Sequence, residues 1–141
     1  HKQDTSQMIT VHVEVGNYFL NSYWADGLLV ATPTGSTAYS LSVGGPIITP
    51  QAANFIIAPI APHNLAVRPI VIADNEIIKL SIEGRGGKYL ASLDSRFCAF
   101  ETTDQFRLRK ADFFIHIIHF NNQNFYNTLR NKLMWGVDKR N

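Results

Sequence analysis

The segment ITVHVEV, residues Ile9–Val15, alternates apolar and polar side chains without exception. A period of two is typical of a β-strand that has one buried face and one face in water. The same alternation returns over Glu76–Glu83, where Ile78, Leu80 and Ile82 fall on one side. We therefore expect antiparallel strands that cover a hydrophobic core with one face.

Further strand candidates follow at short intervals, and turn residues separate them. Gly16-Asn17 and Ala25-Asp26-Gly27 favour tight turns, and Gly84-Arg85-Gly86-Gly87 favours another. This spacing is typical of a β-sandwich or a distorted barrel. The expected fold class is therefore mainly β, a complex sandwich of antiparallel strands. Besides the two alternating segments, the predicted strands cover residues 18–24, 28–31, 88–93, 106–109 and 113–120.

Two segments depart from the strand pattern. In the first, apolar residues recur every fourth position and Gly136 follows them, which predicts a C-terminal helix over Phe125–Trp135. In the second, residues 34–43 are mostly small or hydroxyl-bearing and end at a Gly-Gly pair. They permit a short helix that opens at Thr34 or Ser36.

The composition is that of an ordinary globular protein with one domain. The chain has 141 residues, of which 45% are hydrophobic and 17% charged, and Pro59–Pro69 reads as an ordered connection within the domain. A formal net charge of +2 is too small to indicate nucleic acid, and no apolar run approaches the ~20 residues of a membrane span. The single cysteine, Cys98, excludes an internal disulfide. We expect it to be a small buried hydrophobe in a cytoplasmic protein.

The stretch Asp26–Ile47 is rich in hydroxyl groups and forms a candidate ligand site. On its predicted strand-turn-helix path, Gly35 allows close approach to the backbone and the helix start presents N–H groups. Tyr39 supplies a ring that can stack on a base. The same residues also fit a simpler role, in which Thr34 or Ser36 caps the helix and Tyr39 packs in the core. Hydroxyls able to bond sugar or phosphate oxygens belong to Thr34, Ser36, Thr37, Ser40 and Ser42.

Three motifs in this stretch closely resemble the hallmark segment of NAD kinases. They are Asp26-Gly27-Leu28, the sequence TPTGSTAY over Thr32–Tyr39, and Gly44-Gly45-Pro46. The resemblance runs through nearly the whole chain and implies a strand-rich C-terminal NAD-binding domain over residues 1–141. In the family this domain sits against an N-terminal Rossmann-like catalytic domain. The further matching segments are Pro62–Leu65, Arg68-Pro69, Asp94-Ser95, 125–130 and Lys132-Leu133.

The resemblance also implies a reaction. In this family a phosphoryl group passes from ATP, or from polyphosphate in some members, to the 2′-hydroxyl of the adenosine ribose of NAD, which gives NADP. Mg²⁺ accompanies the donor, and the aspartate of a Gly-Gly-Asp-Gly-Thr motif acts as the base. That motif does not occur in the 141 residues, and by the resemblance the family's Asn-Glu pair should lie just upstream of His1. We therefore expect both motifs in a preceding segment, no catalytic residue in this chain, ATP and Mg²⁺ bound mainly outside it, and no activity of the chain alone.

Residues that contact NAD are implied by the same resemblance. Asp26 matches the family's pocket carboxylate, although Asp26-Gly27 also fits a hairpin turn with a positive φ. Weaker candidates are Gln7, Trp24 and Arg96, where many bacterial relatives have a basic residue, a basic residue and a glutamine. Trp24 fits a hydrophobic strand position equally well. The remaining expected contacts are Thr37, Ala38, Tyr39, Ser40, Leu41 and Ser42.

Two other classes of protein stay open as alternatives. One is the substrate domain of a related lipid kinase of the diacylglycerol or sphingosine type, and the other is a noncatalytic ligand-binding β-sandwich. A metal site at His116 and His119 is disfavoured, because an odd spacing on a strand points the two rings to opposite faces. The expected partners are NAD, ATP or polyphosphate, and further copies of the chain in a dimer or tetramer, with neither nucleic acid nor a membrane.

Overall fold

The computed structural model describes residues 8–84 and 88–136. These residues group into two compact units, one within residues 1–110 and one within residues 111–141. That residues 1–141 form a single domain stays a prediction. The first unit contains β1 (Ile9–Val15), β2 (Tyr18–Ala25), β3 (Gly27–Ala31), a 3₁₀ turn (Thr34–Thr37), α1 (Tyr39–Ser42), β4 (Asn54–Ile60), β5 (Ile70–Ala73), β6 (Ile78–Glu83), β7 (Lys88–Leu93), β8 (Arg96–Glu101) and β9 (Gln105–Leu108). The second unit contains α2 (Phe125–Leu133).

The first sheet has the strand order β2-β1-β6-β9, and its neighbouring strands are antiparallel. β1 lies inside the sheet because it pairs with β2 on one side and β6 on the other. Its Val11 and Val13 are buried, whereas His12 and Glu14 between and beside them are only partly buried. The alternation in Ile9–Val15 therefore predicts both the strand and its buried face.

The second sheet has the strand order β3-β4-β5, and its central strand β4 is buried from Phe55 to Pro59. A strand buried on both faces carries no alternating polar positions, so its sequence NFIIAPI lacks the period of two. The sequence does not predict β4 for this reason. It does not predict β5 either, because IVIA is apolar throughout although Val71 and Ala73 are exposed. Pro59 is tolerated in β4 because the pairing with β5 ends at Ile57.

Side chains of both sheets meet in one hydrophobic core. Val13, Ile57 and Ile78 are fully buried in it, and burial of one such side chain stabilises the fold by about 1.5–3 kcal/mol. The expected fold class is confirmed: a mainly β sandwich of antiparallel strands, with a short helix after TPTGSTAY and a C-terminal helix. The buried members of the core are Val11, Val13, Tyr23, Ile78 and Ile82 of the first sheet and Phe55 and Ile57 of the second.

β7 and β8 form a separate hairpin at the side of this core. Tyr89 and Phe100 pack against the core from the hairpin, and the Phe100 ring meets Phe106 of β9 edge to face with 4.6 Å between centroids. The sequence does not predict β8. Cys98, in β8, is exposed, so the expectation of a buried cysteine is wrong. It lies nearer the tip of the hairpin than Phe100, past the residues that cover the core.

The predicted strand over Phe113–Phe120 is also wrong, because the backbone there is irregular. A strand needs a neighbour that bonds its N–H and C=O groups, and no strand among the described residues pairs with this segment. An apolar, β-branched and aromatic composition shows that a segment can form a strand but does not supply its partner. Six large apolar side chains of the segment are exposed: Phe113, Phe114, Ile115, Ile117, Ile118 and Phe120.

The C-terminal helix is confirmed, although α2 ends at Leu133 instead of Trp135. The Asn124 side chain caps its N-terminus by accepting a hydrogen bond from the backbone N–H of Asn127 at 2.8 Å. Met134 ends the helix with a φ of 59°, two residues before the glycine that the sequence suggests as the stop.

The other predicted strands agree with the structure to within two residues. Ile9–Val15 and Lys88–Leu93 match at both ends. The second alternating segment begins at Ile78 because the residues before it form a turn. Three residues of the predicted glycine-rich turn, 85–87, lie outside the described residues.

Replacing Ile57 by alanine should destabilise the protein by about 2–5 kcal/mol, because the side chain is fully buried between the sheets. The matched control is Val71→Ala on the neighbouring strand β5, where the side chain is 42% exposed. The control should lose less than about 1 kcal/mol. Urea unfolding followed by circular dichroism measures both variants, and equal losses would contradict this assignment of the core.

Burial raises the pKa of Tyr23 above its ordinary value of 10.0, and a hydrogen bond with the Asn21 side chain offsets part of the rise. The folded protein therefore holds the Tyr23 proton more tightly than the unfolded chain does. The contribution of this group to stability is fully present below pH 10 and declines as the pH rises above it. Tyr23→Phe should flatten the fall of the urea midpoint between pH 9 and about pH 11, whereas an unchanged slope would show that the phenol is not shielded.

Candidate functional site

The TPTGSTAY segment continues directly from β3 and folds as two short helical turns instead of one helix. The 3₁₀ turn covers Thr34–Thr37 and α1 covers Tyr39–Ser42, with a break at Ala38, whose φ and ψ are −98° and −130°. The predicted cap at Thr34 or Ser36 is wrong. The side-chain hydrogen bond at the start of the turn comes from Thr32, whose Oγ1 accepts the backbone N–H of Gly35 at 3.2 Å.

Four-residue helices change the physical basis of the candidate site. The aligned dipole of a long helix is the source of its attraction for anions, and neither turn is long enough to build one. Several backbone N–H groups of the segment also donate to carbonyls within it. The N–H of Ser36 donates to the Pro33 carbonyl, that of Ala38 to the Gly35 carbonyl and that of Leu41 to the Ala38 carbonyl. Recognition of a ligand by this segment therefore depends on its side chains more than on a helix N-terminus.

The side chains of the segment divide into an outward and an inward set. Tyr39 is 56% exposed, so the simpler role in which it packs in the core is wrong. Ala38 and Ser42 are exposed with it, and Thr37 and Leu41 are half-buried. Ser36 and Ser40 point inward and are 0% and 1% exposed. Of the six residues in Thr37–Ser42 that we expect to contact NAD, Ser40 is the one that is buried.

Asp26 lies at the other end of β3 from these residues. It is exposed, it immediately precedes the strand, and its backbone N–H donates to the Ile60 carbonyl at 2.9 Å. The five residues of β3 separate Asp26 from the TPTGSTAY segment, a span of roughly 16 Å. The strand therefore separates Asp26 from the start of the TPTGSTAY segment.

The alternative role of Asp26-Gly27 as a positive-φ hairpin turn is also wrong. Gly27 has no positive φ, and β2 and β3 belong to different sheets instead of pairing with each other. The chain crosses from one sheet to the other at this point. The crossing needs no carboxylate, so the turn does not account for an aspartate at position 26.

Trp24 is compatible with both roles that the sequence suggests, a strand residue and a contact with NAD. It is a residue of β2, yet its ring is 50% exposed and lies against the His63 imidazole, with 4.2 Å between centroids. The His63 backbone N–H donates to the Trp24 carbonyl at 2.9 Å, which holds this loop to the strand. Together with Asn21 and Asn64 they line a cavity of about 110 Å³. Sites for whole ligands usually measure 300–1,000 Å³, so this cavity admits only a small group.

The other two weaker candidates are Arg96 and Gln7. Arg96 is exposed at the tip of the β7–β8 hairpin, where it pairs with Leu93. Gln7 lies outside the described residues. Neither is shown beside Tyr39. Residues 8–84 and 88–136 contain no group of three or more His, Cys, Asp or Glu side chains that could hold a metal ion, and no helix in these ranges is long and apolar enough to cross a membrane.

Comparison with known proteins identifies the family. The sequence pattern of the ATP-NAD kinase C-terminal domain matches residues 1–120. The chain belongs to this family. The match includes both sheets and the whole TPTGSTAY segment, so the lipid-kinase and noncatalytic alternatives are not favoured.

Individual relatives agree with this membership. The chain is 54% identical to the NAD kinase of Cytophaga hutchinsonii over 140 residues, which are 99% of this chain and 48% of that protein. Yeast NADH kinase complexed with NADH covers 98% of this chain and 43% of its own, with a TM-score of 0.82 at 23% identity, a likeness of fold. The NAD kinase from Archaeoglobus fulgidus in complex with ATP covers 79% of this chain and 43% of its own, with a TM-score of 0.64 at 27% identity. The chain spans about half the length of the curated relatives it matches.

Replacing Tyr39 by alanine should change the free energy of unfolding by no more than about 0.5 kcal/mol, because the ring is mostly in water. Tyr23→Ala is the matched control, since its ring is 4% exposed in the core and its loss should cost about 3–5 kcal/mol. Urea unfolding of the two variants provides the comparison. A large loss for Tyr39→Ala would mean that the ring supports the fold and is not displayed for a ligand.

Proposed function

We propose that this chain is the NAD-binding half of an NAD kinase, which transfers a phosphoryl group from ATP or polyphosphate to the 2′-hydroxyl of the adenosine ribose of NAD. The observation that carries the proposal is the outward display of Tyr39, Ala38 and Ser42 beside half-buried Thr37, on the segment that bears the family's motif. The names of the relatives support it, since they are NAD kinases, and the solved structures similar to this chain hold NADH and ATP.

The outward side chains suit a dinucleotide in chemistry as well as position. The Tyr39 ring offers a flat apolar face for stacking on a base or nicotinamide ring. The Ser42 and Thr37 hydroxyls can both donate to and accept from sugar and phosphate oxygens. Asp26 offers a carboxylate that accepts hydrogen bonds from ribose hydroxyls. The role of this half is to hold and orient NAD, because phosphoryl transfer depends mainly on positioning and on neutralising charge.

ATP, its Mg²⁺ and the catalytic base belong, in this proposal, to the other half of the protein. The described residues contain no cluster of ligands that fits a metal ion. When bound with ATP, Mg²⁺ would neutralise charge on the phosphates. The exposed apolar run Phe113–Phe120 gives the companion half a surface to cover. A cytoplasmic location is part of the same proposal.

We further propose that the protein works as a homo-oligomer, a dimer or a tetramer. The Asp26 carboxylate and the Tyr39 ring are both assigned to NAD, yet Asp26 precedes β3 and Tyr39 lies in α1, beyond the other end of that strand. A symmetric assembly resolves this separation if Asp26 of one copy faces Tyr39 of another. Trp24, exposed two residues before Asp26, would lie in the same interface.

In the full-length protein, Asp26→Ala and Tyr39→Ala should each lower kcat/KM for NAD by about 10–100-fold, with little change in KM for ATP. Each removes a contact with NAD, and neither touches the phosphoryl donor. Steady-state NADP formation with ATP and Mg²⁺ measures both substrates. Ser92→Ala, on the β7–β8 hairpin, is the control and should behave as the unmodified protein. If both site variants keep normal NAD kinetics, the assignment of the site is wrong.

Mixing the two variants tests the assembly separately. If Asp26 and Tyr39 of different copies meet, a mixed dimer contains one site with both residues intact. Co-refolding or co-expression of Asp26→Ala with Tyr39→Ala protein in equal amounts should then restore about a quarter of the normal activity, because half of the dimers are mixed and one of their two sites is complete. Activity that stays at the level of the single variants would contradict a shared site.

A further inference from the structure

The two buried serines of the candidate site face a loop of the protein. Ser36 Oγ accepts a hydrogen bond from the Ile48 backbone N–H at 3.0 Å and donates to the Ile48 carbonyl at 3.3 Å. One hydroxyl thus satisfies both polar groups of a loop residue that has no strand neighbour there. Because Ser36 is fully buried, water cannot replace it without opening the loop.

Ser40 makes the second contact with the same loop. The Gly45 backbone N–H donates to the Ser40 carbonyl at 2.8 Å. A Cβ on Gly45 would lie within 2.8 Å of that carbonyl oxygen and still closer to Ser40 Oγ. Gly45 is buried and has no positive φ, so close approach, not backbone conformation, is the reason for glycine at this position. Gly44 differs, since its φ is +88° and it has open space around it.

These contacts decide which way the opposite side chains point. Helical turns of four residues are not stable in isolation, because the cost of nucleation exceeds the gain from so few hydrogen bonds. The 3₁₀ turn and α1 are therefore held by what packs on their inner side. Ser36 and Ser40 attach that side to residues 45–48, and Tyr39 and Ser42 are left on the outer side.

We propose, on the basis of the function proposed above, that Ser36 and Gly45 are positioning residues that fix the outward face of Tyr39 and Ser42 for NAD without touching it. Loss of either contact lets the two short turns rotate or fray against the loop. Misplacement of a binding group by about 1 Å is enough to lower the rate of an oriented reaction about 100-fold. The effect falls on NAD, because ATP is assigned to the other half of the protein.

Ser36→Ala in the full-length protein should raise KM for NAD about tenfold or more and leave KM for ATP within about twofold. The same change should speed hydrogen exchange at the Ile48 amide, since that N–H loses its acceptor. Val13→Ala is the control for lost stability, because Val13 is fully buried in the first sheet, away from the loop. It should lower the melting temperature and leave both KM values unchanged.

Gly45→Ala provides the second test, in case Ser36→Ala does not fold. The added methyl group collides with Ser40, so KM for NAD should rise. Ser40→Ala removes the Oγ, which has no hydrogen-bond partner among the described residues, and alone it should leave the melting temperature unchanged or slightly higher. Combined with Gly45→Ala it should restore part of the lost affinity for NAD, a non-additive result that a direct contact predicts.

The outcomes separate the two proposals. An unchanged KM for NAD in Ser36→Ala, an equal rise in Val13→Ala, or a double variant no better than Gly45→Ala would each overturn the positioning role. If the unmodified full-length protein makes no NADP from NAD, the proposed function fails instead. Hydrogen exchange at Ile48 then decides whether Ser36 holds the loop, and an unchanged rate would remove that contact as well.

Discussion

The burial of one hydrophobic core between the two sheets is the constraint on which the rest of the structure depends. Phe55 and Ile57 of the second sheet share this core with Val11 and Val13 of the first, and the removal of these side chains from water holds the sheets together. β3 is held by its hydrogen bonds to β4, and its Leu28 and Val30 side chains pack against the same core. The position of the TPTGSTAY segment at the end of β3 therefore follows from burial of β4, a strand that contributes no functional side chain.

The contacts that hold the chain change in kind from the core to the candidate site. β3 is held by a ladder of backbone bonds, the 3₁₀ turn by Thr32 and Ser36, and α1 by its contact with Gly45. Ligand-binding segments commonly belong to the less stable parts of a fold. Here the small residues Ser40 and Gly45 let residues 45–48 approach α1 closely. These contacts hold helical turns that are too short to be stable alone.

Much of the fold is predictable from the sequence, because half-buried strands alternate apolar and polar residues. Ile9–Val15 shows this most clearly. The sequence does not predict β4, because burial on both faces removes the polar residues that mark a strand. At the site, the motif identifies the segment and its family. The sequence does not show the inward direction of Ser36 and Ser40, because it depends on contacts with residues 45–48, which Ser36 makes through its hydroxyl and Ser40 through its backbone carbonyl. The spacing of Thr32 and Gly35 is a local signal that would have found the true cap.

Phe113–Phe120 and Asp26 show the same limit on what one chain can contain. The first is an apolar run with no strand partner among the described residues, and its apolar side chains lie in water. The second is a carboxylate that no local turn requires, at the far end of β3 from the residues that share its proposed ligand. Unpaired backbone and exposed apolar surface both cost free energy unless something covers them. The two features are therefore accounted for together if the working protein adds a companion half to the first and another copy to the second.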